Sequence, residues 1–367
     1  MDIIMINVIR LSEHCEGRVL FRYRNIICLI SDLIIDDVKT VELNFYDIYK
    51  KKLVDIYDWN KKLSLLKIID ISYLKSSIFI ASVYQEKTFL ICLDLHNYTW
   101  QECLLSQHVL NYDEVSLQND GIKMYIGNHI NDTSYWEYNE VVRIGNILCL
   151  KPLNFLQGYI KELKIYNSCI GNSVFRCFGY EIKIFSDDHN LQYEFLNFNT
   201  LFTYSGTNAH IIVTESEGSQ IECVTVCNNR IYYQITQNDQ EKLFCYDPIE
   251  KCIINIHNKQ TEHIEPSYEN DFFIYTDMYI IRVSDNKKVF ISEIMDSIKK
   301  CNADLLSQVS PFPDCWYFYD NWLVAELDGC QSFVVNLNSM KSYYFENTID
   351  IDMDSIYLYE LPFYYMK

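Results

Sequence analysis

Short apolar runs alternate with polar turns along the whole chain. The runs are rich in Ile, Val, Phe and Tyr, and each is ended by a cluster of Asn, Asp or Ser. β-branched and aromatic residues in runs of this length are typical of strands. Clear examples are Ile26–Ile30, Ile78–Val83, Phe89–Leu93, Ile231–Ile235 and Phe333–Leu337. The pattern therefore predicts an all-β chain of many short strands.

Helical periodicity is confined to two segments. Between Glu293 and Leu306, the apolar residues Ile294, Ile298, Cys301 and Leu305 recur at steps of three and four and share one helical face. A weaker helical pattern covers residues 153–163. We interpret both as insertions between sheets, and the 293–306 segment is the stronger prediction.

A repeat organises the strands. One unit reads as a strand, a polar turn, a second strand ending in Asp or Asn, and a third apolar segment, clearest over 78–100, 231–254 and 322–345. The residues taken to mark the turn after the second of these strands are Asp47, Asp94, Asn139, Asp187, Asp247, Asp285 and Asn336. They lie about 48 residues apart on average, within the range of repeats that form β-propeller blades. Seven markers predict about seven blades.

The physics of a small sheet supports this interpretation. A four-stranded sheet of about 45 residues has two apolar faces and cannot bury both alone, whereas sheets arranged radially bury each face against a neighbour. A plain β-sandwich or two stacked barrels is the alternative, but sandwich domains of about 100 residues would give a longer period. We therefore predict one β-propeller domain over residues 1–367, with four-stranded blades.

Two units resemble a known repeat family. The stretches from Leu93-Asp94 to Trp100 and at Tyr246-Asp247-Pro248 resemble the kelch-type propeller repeat, in which a Tyr-Asp-Pro stretch closes one strand and an aromatic residue opens the next. The paired glycines usual in kelch repeats are absent, and the chain has only 10 Gly. We therefore expect Asn, Asp and Ser to form its turns. The resemblance implies a propeller.

The two ends of the chain suggest how the ring closes. Residues 2–10 form a strand pattern without a partner in their own unit, and residues 356–365 form another. Pairing the N-terminal strand into the last blade would satisfy both strand edges. We predict this closure.

The charge and composition of the chain disfavour certain binding partners and cellular locations. The 367 residues carry a net charge of −19, which disfavours nucleic acid and anionic lipid surfaces, and we find no basic stripe that would reverse this. The start lacks a basic leader, and no apolar run approaches the ~20 residues of a membrane span. The 14 Cys show no disulfide spacing, which favours a reducing, cytoplasmic location.

No catalytic or cofactor motif is present. Dinucleotide, phosphate-loop, zinc-protease and C-x-x-C patterns are missing, so we predict no metal and no cofactor. Cys223 and Cys227 are too far apart along one strand to share a metal, and Ser205 with His210 does not form a nucleophile elbow. The carboxylates that could face a central mouth in a carbohydrate-active enzyme are Asp70, Asp113, Asp271 and Asp320.

Aromatic clusters supply the candidate binding residues. Tyr and Trp provide large, rigid contact area and are enriched at binding hot spots. The predicted binding residues are Tyr135, Trp136, Tyr138, Phe312, Trp316, Tyr317, Tyr319 and Trp322. The alternative assigns them to the core between blades.

The sequence favours a non-catalytic scaffold that binds a protein partner with loops on one face of the ring. The first alternative is a propeller-type enzyme or glycan-binding protein with acidic and aromatic residues at the central mouth. A small-molecule ligand also stays open. A further alternative is an acidic partner of a basic protein, whose binding would be sensitive to salt.

Overall fold

The computed structural model describes the greater part of the chain. The described residues are 7–11, 18–35, 38–129, 136–153, 156–184, 198–205, 208–215, 218–238, 240–257, 263–266, 272–275, 278–282, 285, 287–309, 316–319, 321–327, 331–346, 349–352 and 355–359.

Strands account for most of this structure. In the first half of the chain they are β1 (Asn7–Leu11), β2 (Arg18–Tyr23), β3 (Ile26–Ile35), β4 (Val38–Asp47), β5 (Lys52–Leu53), β6 (Lys67–Leu74), β7 (Ser77–Tyr84), β8 (Lys87–Asp94), β9 (Thr99–Ser106), β10 (Val115–Asn119), β11 (Met124–His129), β12 (Trp136–Ile144), β13 (Ile147–Pro152), β14 (Leu156–Cys169) and β15 (Asn172–Ile184). In the second half they are β16 (Phe198–Ser205), β17 (Asn208–Glu215), β18 (Ser219–Cys227), β19 (Arg230–Gln237), β20 (Gln240–Asp247), β21 (Cys252–His257), β22 (His263–Pro266), β23 (Phe272–Tyr275), β24 (Tyr279–Arg282), β25 (Lys287–Phe290), β26 (Trp316–Tyr319), β27 (Trp322–Leu327), β28 (Gln331–Asn336), β29 (Lys341–Phe345), β30 (Ile349–Asp352) and β31 (Ser355–Tyr359).

Each group of four consecutive strands from β2 to β29 forms one antiparallel sheet, a blade. In the described ranges there are seven such blades: β2–β5, β6–β9, β10–β13, β14–β17, β18–β21, β22–β25 and β26–β29, numbered 1 to 7 in that order. An eighth sheet of three strands has the order β1-β31-β30, and we call it the closing sheet.

The apolar core lies between neighbouring sheets. Phe45 of blade 1 packs with Leu93 of blade 2, and Tyr125 of blade 3 packs with Phe202 of blade 4. Similar clusters join blades 2 to 3, 4 to 5, 5 to 6 and 6 to 7. The closing sheet contacts blade 7 through Ile356 and blade 1 through Tyr357. Because every sheet packs on two neighbours, the sheets form a ring, and the fold is a β-propeller.

The N-terminal strand closes this ring. β1 pairs with β31 in parallel, with Asn7 opposite Ser355 and Leu11 opposite Tyr359. The predicted pairing of the N-terminal strand with the end of the chain is thus present over Asn7–Leu11. It builds a sheet of its own, however, and does not add a strand to a complete four-stranded blade.

The predicted ring of about seven sheets is wrong, because the described ring has eight sheets, namely the seven four-stranded blades and the three-stranded closing sheet. None of the seven markers lies in the closing sheet, so the repeat did not count it. Asp47, Asp94, Asp247 and Asn336 each end the third strand of a blade, and Asp285 follows β24. Asn139 lies inside β12 instead, and Asp187 lies outside the described residues.

Two helices interrupt the strands. α1 (Trp59–Leu63) packs between blades 1 and 2 and was not predicted. α2 (Ile291–Cys301) follows β25, overlaps the predicted helical segment and buries Ile294 and Ile298 between blades 6 and 7. The weaker helical prediction at 153–163 is wrong, because most of that segment is strand β14. Neither helix, nor any other in the described ranges, has the length and apolar character to cross a bilayer.

Candidate functional site

A buried Asp or Asn organises the turn after the third strand in four blades. Asp47 Oδ1 accepts hydrogen bonds from the amides of Tyr49 and Lys50 at 2.9 and 3.0 Å. Asn336 Oδ1 does the same for Asn338 and Ser339 at 3.1 and 2.9 Å. Asp94 and Asp247 accept from the corresponding amides in blades 2 and 5. This is the side-chain turn chemistry expected in a chain with few glycines.

The last turn residue, four positions after each buried Asp or Asn, has a left-handed backbone. These residues are Lys51, Tyr98, Lys251 and Met340, with φ between 50° and 54°. Glycine normally occupies such positions because it carries no Cβ. These four positions thus carry larger side chains, of which Lys51, Tyr98 and Lys251 are exposed.

The turn between the first two strands meets the turn between the last two. The amide of Ile48 donates to the carbonyl of Asn25 at 2.9 Å, and the amide of Leu95 donates to that of Ser76 at 2.8 Å. In blade 5 the equivalent donor position is Pro248, which has no N–H. There the Cys169 thiol of blade 4 donates to the carbonyl of Asn229 at 2.8 Å. We call the side of the ring that carries both kinds of turn the turn end.

The predicted aromatic residues are divided between core and surface. Tyr135 and Phe312 lie outside the described residues. The side chains that are buried between sheets are Tyr138, Trp316 and Trp322. Trp136 and Tyr319 are half-buried, whereas Tyr317 is 52% exposed. The structure therefore brings most of this set into packing clusters and not onto one surface, and binding by its exposed members stays a prediction.

Of the carboxylates considered for catalysis, Asp70 has a structural role. Asp70 Oδ2 accepts a hydrogen bond from the amide of Leu117 in blade 3 at 2.7 Å, and its Oδ1 accepts from the amide of Ile71 at 2.8 Å. Burial raises the pKa of Asp70, and these two amides only partly offset that effect. Asp113 is exposed, and Asp271 and Asp320 lie outside the described residues.

The cysteines considered for a metal serve as packing groups. Cys223, Cys227 and Cys245 pack with Tyr232 between blades 5 and 6. No group of three or more His, Cys, Asp or Glu side chains suited to a metal ion occurs in the part of the chain that the structure describes. Burial also raises the pKa of the Cys92 thiol to about 11, so this thiol is not ionised near neutral pH.

A small cavity lies between blades 6 and 7 at the turn end. Its volume is about 10 Å³, and Arg282, Lys287 and Leu337 line it together with Ile280 and Val289. The Lys287 ammonium donates to the carbonyl of Leu337 at 2.7 Å. Burial and the nearby Arg282 lower the pKa of Lys287. The space suits about one water molecule and is too small for a sugar ring.

Several exposed tyrosines lie in the segment around α1 and in the neighbouring turn of blade 2. Tyr49 is 85% exposed, Tyr57 is 69% exposed, and Tyr98 of blade 2 is 43% exposed. The rings of Tyr57 and Tyr98 are in contact, with centroids 5.5 Å apart. Trp59 anchors the segment from below, because it is fully buried against Phe45. Tyr57, just before Trp59 in the chain, is thus exposed next to a buried anchor.

Five lysines lie close to the first two of these tyrosines along the chain. Lys50, Lys51 and Lys52 precede β5 or begin it, Lys61 and Lys62 end α1, and all five are exposed. The Lys62 ammonium lies 5.1 Å from the ring centre of Trp100. We call residues 49–62 with Tyr98 and Trp100 the lysine–tyrosine surface. The sequence analysis did not predict this surface, because its five lysines at 49–62 are outweighed by the net charge of −19 of the whole chain.

The fold and this surface together define a β-propeller with an exposed aromatic and basic patch. No family model matches the chain, and no curated protein matches it. Solved structures do match it. An uncharacterised protein of Listeria monocytogenes EGD-e is 11% identical, covers 94% of this chain and 98% of its own, and has a TM-score of 0.52.

Two other solved structures show weaker similarity. The structure of the Dos1 propeller is 9% identical over 96% of this chain and 93% of its own, with a TM-score of 0.47. A prolyl endopeptidase structure is 8% identical over 89% of this chain, with a TM-score of 0.49. This chain spans only 48% of that endopeptidase. At 11% identity, the similarity to the Listeria monocytogenes protein shows the fold alone.

Proposed function

We propose that the chain is a non-catalytic β-propeller scaffold that binds a protein partner through exposed residues at one side of its ring. The observation that carries this proposal is the contact between the exposed rings of Tyr57 and Tyr98, which belong to the segment after blade 1 and to blade 2. Exposed aromatic side chains held on a rigid support are typical of protein-binding surfaces.

The support for these rings is rigid because the core beneath them is complete. Trp59 and Leu63 of α1 are buried with Phe45 of blade 1 and Leu95 of blade 2. Such an anchor lowers the entropic cost of binding, since the backbone does not need to be ordered when the partner arrives. The enzyme alternative has less support, because Asp70 uses both carboxylate oxygens to accept backbone hydrogen bonds.

Affinity capture from the native host, followed by direct binding of the purified partner, tests the proposal. We expect a protein to bind the wild type, and binding to weaken about tenfold or more in the Tyr49→Ser/Tyr57→Ser variant, since hot-spot aromatic residues contribute this much. Tyr112→Ser is the matched control, because Tyr112 is 79% exposed in the connection between blades 2 and 3.

Two results would contradict the proposal. Retention of only a glycan or a small molecule would favour the carbohydrate alternative. Equal loss of binding in the control variant would show that the effect is not specific to this surface.

A further inference from the structure

We infer that the lysine–tyrosine surface docks an acidic segment of the protein partner, one that carries apolar side chains between its carboxylates. This inference rests on the proposed scaffold function and adds the chemistry of what is bound. It is argued from the charge, the apolar exposure and the anchoring of residues 49–62.

Charge is the first argument. Residues 49–62 contain five lysines and two aspartates, whereas the whole chain has 31 Lys+Arg against 50 Asp+Glu. A positive patch within a negative protein directs a negative partner to one place, because the remaining surface repels it. The lysine–tyrosine surface therefore attracts a negative partner and also determines where on the protein it binds.

The state of the lysines is the second argument. Lys50 Nζ lies 3.4 Å from Asp47, but its side chain is 63% exposed. Lys62 lies over the ring of Trp100 and keeps its ammonium accessible. Exposed pairs and ring contacts of this kind contribute little to stability, so these ammonium groups can exchange them for a partner's carboxylates at small cost.

Apolar exposure is the third argument, and it favours a peptide over a nucleic acid. Leu53 is 39% exposed and Leu65, just after α1, is 65% exposed, in the same segment of the chain as the exposed Tyr49 and Tyr57. Apolar side chains of a peptide would cover these groups.

Fluorescence anisotropy with the full chain tests this inference. The probe is a fluorescein-labelled peptide rich in Asp, Glu and Phe, and its counterpart carries Asn and Gln in place of the acids. We expect the acidic peptide to bind, the neutral one to bind much less, and the affinity to fall as salt rises from low to physiological ionic strength, where the screening length is about 8 Å.

Two variants and one matched control locate the site. Lys61→Gln/Lys62→Gln and Lys50→Gln/Lys51→Gln/Lys52→Gln should each weaken the acidic peptide about threefold to tenfold, since single exposed ion pairs contribute little. The control is Lys299→Gln/Lys300→Gln, because these two lysines also end a helix and are exposed. Because the two lysine variants are independent, the test still works if one of them misfolds. Circular dichroism shows whether each variant is folded.

The outcomes are distinct. Binding of a polyuridine oligonucleotide or of phosphatidylserine vesicles at this surface, in place of the acidic peptide, would overturn the inference. So would equal weakening by the control variant. If the captured partner binds but is unaffected by the lysine variants, the scaffold proposal stands and the acidic-segment inference fails.

Discussion

The Arg143 guanidinium of blade 3 lies 3.0 Å from the Asp94 carboxylate of blade 2 and so joins the turn ends of two neighbouring blades. The same guanidinium donates to Gln101 at 3.0 Å and to Ser77 at 3.2 Å. Asp94 is buried, which alone would raise its pKa, but the His96 amide, the Arg143 guanidinium and the Ser76 hydroxyl hold that pKa below its ordinary value.

The first prediction concerns this pair. Asp94→Asn and Arg143→Gln should each lower the free energy of unfolding, and a double-mutant cycle in urea should give a coupling of about 1 kcal/mol, because the pair is charge-assisted and largely buried. The exposed pair of Lys50 with Asp47 is the comparison. Lys50→Gln should cost well under that amount. A coupling near zero between Asp94 and Arg143 would contradict this prediction.

The second prediction concerns acid stability. The pKa values of Asp47, Asp94 and Asp247 are all lowered, with backbone amides of the following turn among the causes. Each contributes stability that is fully present above the unfolded pKa of about 3.9 and is lost as pH falls through the lower folded value. Replacing all three by Asn, the residue that already stands at Asn336, should flatten the loss of thermal stability below pH ~5. If the triple variant loses thermal stability below pH ~5 as steeply as the wild type does, this prediction is wrong.

The third prediction concerns the closing sheet. Leu11 is fully buried with Ile27, Leu29 and Tyr357. Leu11→Ala should lower the free energy of unfolding by about 2–4 kcal/mol through the cavity it leaves. Ile147→Ala, at a position 64% exposed, is the control and should change it by less than about 0.5 kcal/mol. Deleting residues 1–11 should lower the thermal midpoint, and an unchanged midpoint would show that closure does not stabilise the ring.

The fourth prediction concerns Gly127 and Tyr138, which are opposite each other on β11 and β12. A Cβ at Gly127 would come within 2.4 Å of the Tyr138 ring. Gly127→Ala should therefore destabilise the protein by about 1–3 kcal/mol through overpacking. The same change should cost less in a Tyr138→Leu background, where the ring is gone. Equal costs in both backgrounds, measured by chemical unfolding, would exclude this steric explanation.

The fifth prediction separates core from surface among the aromatic residues. Trp316 is 1% exposed and packs with Phe333 and Ile298, whereas its neighbour Tyr317 is 52% exposed. Trp316→Ala should cost about 3–5 kcal/mol of stability. Tyr317→Ala should cost much less, and any effect of it on partner binding would then reflect lost contact. A comparable cost for both variants would contradict the assignment of Trp316 to the core.

Much of the architecture could be predicted because it follows from local pattern. Alternating apolar residues gave the strands, and the buried Asp or Asn after the third strand gave the repeat at Asp47, Asp94, Asp247 and Asn336. The count failed because the closing sheet carries no such marker. The spacing is also uneven, since β14 and β15 have 14 and 13 residues and lengthen blade 4 between the markers Asn139 and Asp247.

The candidate surface was harder to predict, for two physical reasons. Aromatic content does not distinguish a ring in the core from one in solvent, so Trp316 and Tyr317 looked alike in the sequence. The negative net charge of the whole chain also gave no indication of the local excess of lysine at 50–52 and 61–62. The pattern K-K-K followed by K-K around Trp59 was the available signal, and a charge count in a short window would have found it.

The parallel pairing of β1 with β31 has a consequence for biosynthesis. Asn7–Leu11 is synthesised before its partner Ser355–Tyr359, on the order of tens of seconds earlier. Until the partner is made, the first sheet has an uncovered apolar side and the nascent chain has an unpaired strand edge, both of which favour aggregation. We therefore expect newly made chains to depend on chaperones during this interval, and truncated chains lacking β31 to be degraded.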